Sequence, residues 1–456
     1  MRVIITLLIS LFSLAIQATN HTATVTGGNV NNLTNAQSTY SLVDDDTLTI
    51  PNTANGYVGV GNITASVGHT IYIHVPNNIT IYQLEIANMV RVKIISPNYG
   101  ITITTSGRAF LAQGRLQYLT ISGLNFLDCT DYLFYWQSDR TYNGDLDSTN
   151  HDIIIDSFKI HRAGFADIFK PYGAGKWRYV EIRNGIIDSV QGGRCFNLEK
   201  FYDSHVHHLR FKHVGYQETA HTEQIWIRGN GDFHHIFSDS CWGDQFRVMG
   251  TSLVSSKAAP MGDIHIYRNM FLHSRKYGQV EVNLDVAQMD TSSVYLRPTN
   301  HYIDFNTAGY IPDSAAFWYG EPQGGGGVQL AIYKNYGIFK FRGNISWTAH
   351  ADHGQGLNCP YWYLDGDGSP LPSDTTGTVY YPYAVTVIED STTGEIKASF
   401  VGTHTAPILD YDILAFNEVQ LPGRGERTSG AWSKDGIDCG VIPTIKRRNK
   451  LIIHKN

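Results

Sequence analysis

Short β-strand patterns recur along this chain at a nearly constant spacing, and this repeat constrains the fold more than any other feature. Runs of alternating apolar residues begin at 92, 119, 153, 180, 206, 233 and 264, at intervals of 27, 34, 27, 26, 27 and 31 residues. Further short runs, such as 101–103 and 133–136, lie between them. A fixed period of short strands is typical of a solenoid, because one repeat cannot bury its inner face and stacks on its neighbours. Extended helical periodicity is missing, which argues against helical and leucine-rich repeats.

The bends between these strands are marked by residues that tolerate a left-handed backbone conformation. Asp156-Ser157 and Asn184-Gly185 each divide a longer run into two strands. The segments RYVEIRNGIIDSV (178–190) and GDIHIYRNMFLHS (262–274) resemble coils of the pectate-lyase-like superfamily. This resemblance covers roughly residues 60–350 and implies an all-β, right-handed parallel β-helix. It does not imply one chemistry, because the superfamily contains lyases, hydrolases, epimerases, tailspikes and adhesins.

The regions outside the repeat predict an exported chain with capped ends. Residues 1–18 read as a signal peptide, with Arg2 before the apolar run 3–16 and a cleavage site near Ala18. Residues 19–60 are polar and are expected to form an N-terminal cap. The β-helix is predicted over 61–350, and 351–456 is predicted to be a C-terminal cap or small β appendage. We therefore expect a secreted protein, extracellular or periplasmic, without a membrane span in the mature chain.

Charge and cysteine content limit the partners. The formal net charge is −6, only 17% of residues are charged, and the basic residues are scattered, which argues against nucleic acid as a partner. The five cysteines lack a C-x-x-C metal spacing. Cys195 and Cys241 lie in apolar strand patterns and are predicted to be core residues, whereas pairing of Cys359 with Cys439 stays open, as does the oligomeric state.

The repeat also indicates where a functional site would be built. Equivalent positions of successive coils lie about 4.8 Å apart, so residues distant in sequence can share one outer face. Aligning the second strand of each repeat stacks five polar positions, namely Lys170, Asn197, Arg228, Arg247 and Glu281. Glu199, Glu223, Trp226 and Gln245 lie beside them. The sequence therefore predicts a polysaccharide site between residues 165 and 285.

The residue types in this stack suit the cleavage of a uronic-acid glycan by β-elimination. That reaction needs the substrate carboxylate to be neutralised, by arginine or Ca²⁺, and a base to remove the proton at C5. Arg228 and Arg247 are candidates for carboxylate recognition, and Lys170 or His221 is a candidate base. Possible Ca²⁺ ligands are Asn197, Glu199 and Glu223. The predicted substrate-binding residues are Trp226, Trp242, Gln245 and Glu281.

Histidines and tryptophans are two further features of this region. His205 and His207 alternate along one strand face, and His234 is expected near His207 one coil later. A transition-metal site is one interpretation, but H-E-x-x-H is missing and we favour an outward histidine stack without metal. Trp136 and Trp177 recur on the same half of the coils as Trp226 and Trp242, and such rings can stack on sugars or fill the core.

Known catalytic signatures are missing from the chain. Neither the polygalacturonase series nor the W-x-D-H of pectate lyases is present, and D-P-H-E of mannuronan epimerases is not found. Our leading interpretation is a secreted polysaccharide lyase that acts on an acidic glycan. The alternatives are a non-catalytic glycan-binding or adhesive β-helix, a tailspike-like depolymerase, and a glycoside hydrolase with Asp239 and Asp244 as its carboxylate pair.

Overall fold

The computed structural model describes residues between 18 and 400, and the chain within this range forms β-strands with very little helix. The gaps in the description are residues 77, 139, 141–145, 166, 174, 216–222, 228, 239–240, 242, 244, 250–263, 273–279, 284–299, 305, 310–329, 334–337, 343–344, 347–361, 365–378, 381–384 and 390–395. One short helix, α1, spans Ala36–Thr39, and 3-10 turns span Pro97–Tyr99 and Leu146–Ser148. Among the described residues, no helix has the length and apolar character needed to cross a membrane.

Thirty-two strands are described. They are β1 (Asn20–Thr22), β2 (Val30–Asn32), β3 (Thr47–Thr49), β4 (Tyr57–Thr64), β5 (Ile71–His74), β6 (Ile79–Ile81), β7 (Gln83–Ile95), β8 (Ile101–Ile103), β9 (Phe110–Ser122), β10 (Leu124–Leu127), β11 (Phe134–Gln137), β12 (Asn150–Phe165), β13 (Phe169–Tyr172), β14 (Trp177–Gly192), β15 (Phe196–Leu198), β16 (Phe201–Tyr202), β17 (Ser204–Val214), β18 (Ile225–Ile227), β19 (Gly231–Ser238), β20 (Phe246–Met249), β21 (Ile264–Tyr267), β22 (Met270–Leu272), β23 (Val280–Asn283), β24 (Asn300–Asp304), β25 (Thr307–Gly309), β26 (Leu330–Tyr333), β27 (Ile338–Arg342), β28 (Ile345–Ser346), β29 (Trp362–Leu364), β30 (Val379–Tyr380), β31 (Val385–Glu389) and β32 (Ile396–Phe400). Of these, β31 and β32 form an antiparallel pair, and the other thirty form one sheet whose paired strands run parallel.

Three ladders of parallel pairs make up the large sheet, apart from β16, which pairs with the start of β14. The first ladder runs β2–β4–β7–β9–β11–β13–β15–β18–β20–β23–β26–β29. The second runs β1–β3–β5 and continues through the later part of β7 and β9 and the first part of β12, β14, β17 and β19 to β21, β24 and β27. The third runs β6–β8–β10, through the last part of β12, β14, β17 and β19, to β22, β25, β28 and β30.

From β5 to β25, each repeat supplies one strand segment to each ladder, and equivalent residues of successive repeats pair, as Ile153 does with Val180. The prediction of an all-β fold is therefore confirmed, and the parallel pairing is consistent with the predicted β-helix. Parallel pairing already includes β1 to β3, which lie within the range predicted as a cap. The predicted domain boundaries stay predictions, and residues 1–17 of the predicted signal peptide 1–18 lie outside the described residues.

The core is formed by apolar residues that occupy equivalent positions on the inner side of successive strands in each ladder. In the first ladder, Phe134 and Phe169 are paired in register and their rings stack at 4.4 Å between centroids. Phe196 of the next repeat meets Phe169 edge-on at 4.5 Å. All three side chains are fully buried, and burial of each contributes about 1.5–3 kcal/mol. Trp136 and Trp177 also point into this core, so they are not sugar platforms.

The corner between the second and third ladders is a column of residues with positive φ. Ser157, Asn184, His208, His235 and Arg268 occupy it in successive repeats, with φ of 53°, 54°, 53°, 54° and 56°. A single left-handed residue turns the chain sharply, and Asn and His adopt this conformation more readily than most residues. The predicted bends at Ser157 and Asn184 are confirmed.

The described cysteines Cys129, Cys195 and Cys241 are buried free thiols. The core positions predicted for Cys195 and Cys241 are therefore confirmed, whereas Cys359 and Cys439 lie outside the described residues.

Candidate functional site

Along the first ladder, the residues next to the core phenylalanines point to the other face of the strands and form a column of aligned side chains. We call Tyr135, Lys170, Asn197, Trp226 and Arg247 the outer column. The register pairs Tyr135 with Lys170, Asn197 with Trp226, and Trp226 with Arg247. Lys170 and Asn197 each follow the paired residues Phe169 and Phe196. The predicted stack of Lys170, Asn197 and Arg247 is thus brought together.

Several predicted residues fall elsewhere. Trp226, not Arg228, occupies the row between Asn197 and Arg247. Arg228, His221 and Trp242 lie outside the described residues. Glu281 pairs with Arg247 in the backbone register, but its side chain is outside the description.

Charged residues stand two positions before the inward residue of three consecutive first-ladder strands, β13, β15 and β18, and we call Asp167, Arg194 and Glu223 the pre-strand column. Asp167 Oδ2 lies 2.8 Å from Lys170 Nζ, and Glu223 Oε1 lies 3.1 Å from Arg247 Nη1. Asp167 Oδ1 also accepts a hydrogen bond from the backbone N–H of Arg194 at 3.2 Å. Sequence reasoning missed Asp167 and Arg194. The sequence does show that each of them stands two positions before an apolar strand residue, Phe169 or Phe196.

Two guanidinium groups lie over the ring of Trp226. The Cζ of Arg194 is 3.9 Å and that of Arg247 is 5.2 Å from the ring centroid. Such contacts are attractive because the aromatic face is electronegative, and they fix the plane of the guanidinium. Trp226 is only 2% exposed, so it does not present a free ring face to a sugar. Its structural effect is to position Arg194 and Arg247, which corrects the role in sugar stacking expected from the sequence.

Lys170 is charged in this setting. Burial lowers the pKa of its amine, but the hydrogen bond and charge of Asp167 outweigh burial, and the net pKa is raised. A lysine with a raised pKa is a weak candidate for a base and a better one for a proton donor or a fixed positive charge.

The predicted Ca²⁺ ligands are only partly placed together. Asn197 is 1% exposed, its Nδ2 donates to Asp167 Oδ2 at 3.4 Å, and its Oδ1 has no hydrogen-bond partner among the described residues. Glu223 belongs to the repeat after that of Asn197 and contacts Arg247. Glu199 is the residue directly after β15 and is half-buried. A buried amide oxygen without a partner among the described residues, on a side chain beside the Asp167 carboxylate, fits a hard cation.

Gln245 is an interior residue. It is fully buried, and its Nε2 donates to Ser238 Oγ and to the Leu272 carbonyl, both at 2.6 Å. The side chain satisfies backbone and hydroxyl groups at the end of β19 and β22, so the predicted contact with substrate does not fit its position.

A second group of side chains projects from the second ladder, and we call it the histidine cluster: Glu181, His205, His207, His208, His234 and His235. His207 Nε2 lies 3.0 Å from Glu181 Oε1 and His207 Nδ1 lies 2.5 Å from His208 Nδ1. The rings of His207 and His234 stack at 5.0 Å between centroids, which confirms their predicted proximity. His205 Nε2 and His234 Nε2 are 2.5 Å apart, as are His234 Nδ1 and His235 Nδ1.

Burial and neighbouring imidazoles lower the pKa of four histidines in the cluster: His205, His208, His234 and His235. Burial, and then the neighbouring His207, lower the pKa of His208 to about 4. Burial and His208 lower the pKa of His235 to about 3, and the pKa values of His205 and His234 are lowered by burial and neighbouring histidines. The hydrogen bond from His207 lowers the pKa of Glu181 to about 2, against the effect of burial.

No protein-family model matches this sequence, and no curated protein matches it. Among solved structures, the chain is similar to a mannuronic acid specific polysaccharide family 6 lyase from human gut microbiota, with 11% sequence identity and a TM-score of 0.26. The alignment covers 71% of this chain and 86% of that chain.

Proposed function

We propose that this protein is a secreted right-handed parallel β-helix that binds an acidic, uronic-acid polysaccharide along the outer column and cleaves it by β-elimination. The observation that carries this proposal is the placement of the Arg194 and Arg247 guanidinium groups over the buried Trp226 ring. A held guanidinium can donate two parallel hydrogen bonds to a carboxylate. Neutralising the uronate carboxylate is the first requirement of β-elimination.

The outer column supplies a positive charge for the second half of the reaction. The base removes the proton at C5, the C4–C5 double bond forms, and the glycosidic oxygen at C4 leaves with its electron pair and takes up a proton. Lys170, whose pKa is raised, suits the donation of that proton. Of the two bases predicted from the sequence, His221 then has the proton-abstracting role, and Arg228 remains a further carboxylate-binding residue in the proposal.

Ca²⁺ would act in the same site as an additional neutralising charge. Asn197 Oδ1 supports this part of the proposal because it is a buried acceptor without a partner among the described residues. Glu199 and Glu223 would complete the oxygen ligands. Since Glu223 Oε1 lies 3.1 Å from Arg247, cation binding by Glu223 would release the Arg247 guanidinium toward a substrate carboxylate.

The test is the formation of unsaturated uronate ends. The purified protein is incubated with alginate, pectate and glycosaminoglycans, with Ca²⁺ or with a chelator, and the ultraviolet absorbance of the unsaturated product is followed. Arg247→Lys keeps the charge but loses the planar fork, and we expect product formation to fall about 10- to 100-fold, which corresponds to the loss of one charged hydrogen bond. Arg194→Ala should behave similarly.

Arg162→Ala is the matched control, because Arg162 is an exposed arginine paired with Asp128 elsewhere on the surface. It should retain full activity. Absence of unsaturated product on every glycan, with and without Ca²⁺, would overturn the lyase proposal.

A non-catalytic glycan-binding β-helix is the second candidate. It is favoured by the pairing of Lys170 with Asp167 and of Arg247 with Glu223, because a lysine whose charge is held by a carboxylate can bind a glycan but is a weak base. Retention on an immobilised acidic glycan that depends on Arg247, without unsaturated product, would identify this function. The proposed hydrolase pair Asp239 and Asp244 lies outside the described residues.

A further inference from the structure

The histidine cluster contains three side chains at metal-ligand spacing. Glu181, His205 and His207 each offer one ligand atom, and these atoms lie within 4.8 Å of one another. Glu181 and His205 are paired in register across β14 and β17, and His207 follows His205 on the same outer face. Ligand atoms about 2.0–2.1 Å from a tetrahedral metal lie about 3.3 Å apart. Small side-chain rotations would bring the ligand atoms from separations of up to 4.8 Å to the spacing that a bound metal requires.

We propose that Glu181, His205 and His207 bind one divalent transition-metal ion of the Zn²⁺ class. Two imidazoles and one carboxylate suit Zn²⁺ and its neighbours, whereas Ca²⁺ prefers oxygen ligands alone. This site is separate from the oxygen-rich Ca²⁺ site proposed on the first ladder. It also reverses our expectation, from the sequence, of a histidine stack without metal.

The neighbouring imidazoles would hold the two ligand rings in place. His207 Nδ1 faces His208 Nδ1, and His205 Nε2 faces His234 Nε2, each at 2.5 Å. Histidine ligands are ordinarily oriented by a partner on the ring nitrogen that does not bind the metal. We therefore assign His208 and His234 as positioning residues. His234 is itself fixed by stacking on Tyr267 at 4.9 Å between ring centroids.

The charges around the cluster favour a cation. Arg183 Nη1 lies 2.6 Å from Glu181 Oε1, and Arg183 also contacts Asp156. Asp232 pairs with His205 in register and lies 2.7 Å from His265 Nδ1. The charged groups around the cluster are thus three carboxylates and two guanidinium groups, which sum to one negative charge. The carboxylates are Glu181, Asp156 and Asp232, and the guanidinium groups are those of Arg183 and Arg268. On metal binding, His207 Nε2 would exchange its contact with Glu181 Oε1 for the metal, while Arg183 continues to hold Oε1 and Oε2 binds the metal.

The site is open enough for metal entry and for an additional ligand. The Glu181 side chain is 24% exposed and that of His207 is 12% exposed. A three-ligand site with a solvent-facing side keeps a coordination position for water or a sugar hydroxyl.

The test uses the full chain after treatment with a chelator. Co²⁺ is titrated while its visible absorption is recorded, Zn²⁺ then displaces it, and bound Zn²⁺ is measured after dialysis. We expect one equivalent of Zn²⁺, unaffected by excess Ca²⁺. His205→Ala, His207→Ala and Glu181→Gln should each weaken Zn²⁺ binding by more than about 100-fold, since loss of a positioning residue such as His208 costs about 10- to 100-fold.

His161→Ala is the matched control, because His161 is an exposed histidine near Asp188 on the third ladder and should not affect binding. Far-ultraviolet circular dichroism confirms that each variant is folded. The proposal is overturned if the wild-type chain binds no stoichiometric Zn²⁺, if folded His205→Ala and His207→Ala both bind as wild type does, or if His161→Ala loses as much affinity as they do. None of these outcomes depends on glycan cleavage.

Discussion

His235 should make the folded protein sensitive to mild acid, and this effect can be isolated. The side chain is 7% exposed at the left-handed corner, and its Nε2 has no hydrogen-bond partner among the described residues. Burial, the neighbouring His208 and Arg268 lower its pKa from 6.5 to about 3. Below pH 6.5 the unfolded chain therefore binds a proton that the folded chain does not. Stability contributed by neutral His235 is complete above this pH and falls as the pH is lowered toward the folded pKa.

The size of this effect follows from the difference in proton binding. Between pH 7.5 and pH 5.5, one histidine that titrates only in the unfolded state reduces the free energy of unfolding by about 1.4 kcal/mol. The value depends on the unfolded pKa and is insensitive to the folded pKa, provided that the latter lies well below 5.5.

His235→Asn removes the titrating group and retains a residue suited to φ of 54°. Asn184 already occupies the equivalent corner two repeats earlier. Urea unfolding is measured at pH 7.5 and pH 5.5 with a chelator present. The variant should lose about 1.4 kcal/mol less stability than wild type over this interval.

Ser157→Asn is the control, because it changes the same corner column without removing an imidazole. Its stability should follow the wild-type pH dependence. If His235→Asn and wild type lose equal stability between the two pH values, the folded His235 binds a proton as readily as the unfolded one, and the reasoning from burial is refuted.

Two further predictions concern the core. Phe169→Ala should lower the free energy of unfolding by about 3–5 kcal/mol, because it removes a fully buried ring packed between Phe134 and Phe196. Phe169→Leu should lower it by less, and denaturant unfolding at neutral pH checks both variants. Asn269→Leu should lower the free energy of unfolding by about 2–6 kcal/mol, because the Asn269 amide accepts a hydrogen bond from the Ile236 N–H and donates one to the Phe233 carbonyl, and each backbone group left unpaired costs about 1–3 kcal/mol. Thermal unfolding measures this loss, and a loss no larger than that of a surface variant would contradict the prediction.

The strand repeat was predictable because its physical basis is local. Alternation puts one residue in two toward the core, so the apolar positions of segments such as 153–160 and 180–187 fix both the strands and their register. The bends at Ser157 and Asn184 were equally visible, since few residue types adopt positive φ. These features depend on neighbours within a few residues of one another, and the sequence displays them directly.

The site was less predictable because its contacts join loops to strands in different repeats. Arg194 reaches Trp226 across 32 positions of sequence, and alternation within a strand does not indicate which charged residue before the strand folds over a given ring. Gln245 looks like a polar outer residue, but it precedes β20 at a turn where alternation no longer applies, and its amide is needed by Ser238 and Leu272. Pattern alone therefore locates the outer column but not the partners of its members.

The ladder arrangement makes a final prediction about which residues act together. Arg194 and Arg247 are far apart in sequence but share the Trp226 ring, whereas Arg247 and His207 lie on different ladders. In double-mutant cycles on acidic-glycan binding, Arg194→Ala and Arg247→Ala should therefore couple by about 0.5–3 kcal/mol. Arg247→Ala and His207→Ala should be additive within about 0.5 kcal/mol. Additivity of the arginine pair would show that Trp226 does not join them in one binding unit. Strong coupling of Arg247 to His207 would instead mean that the glycan site and the histidine cluster form one site.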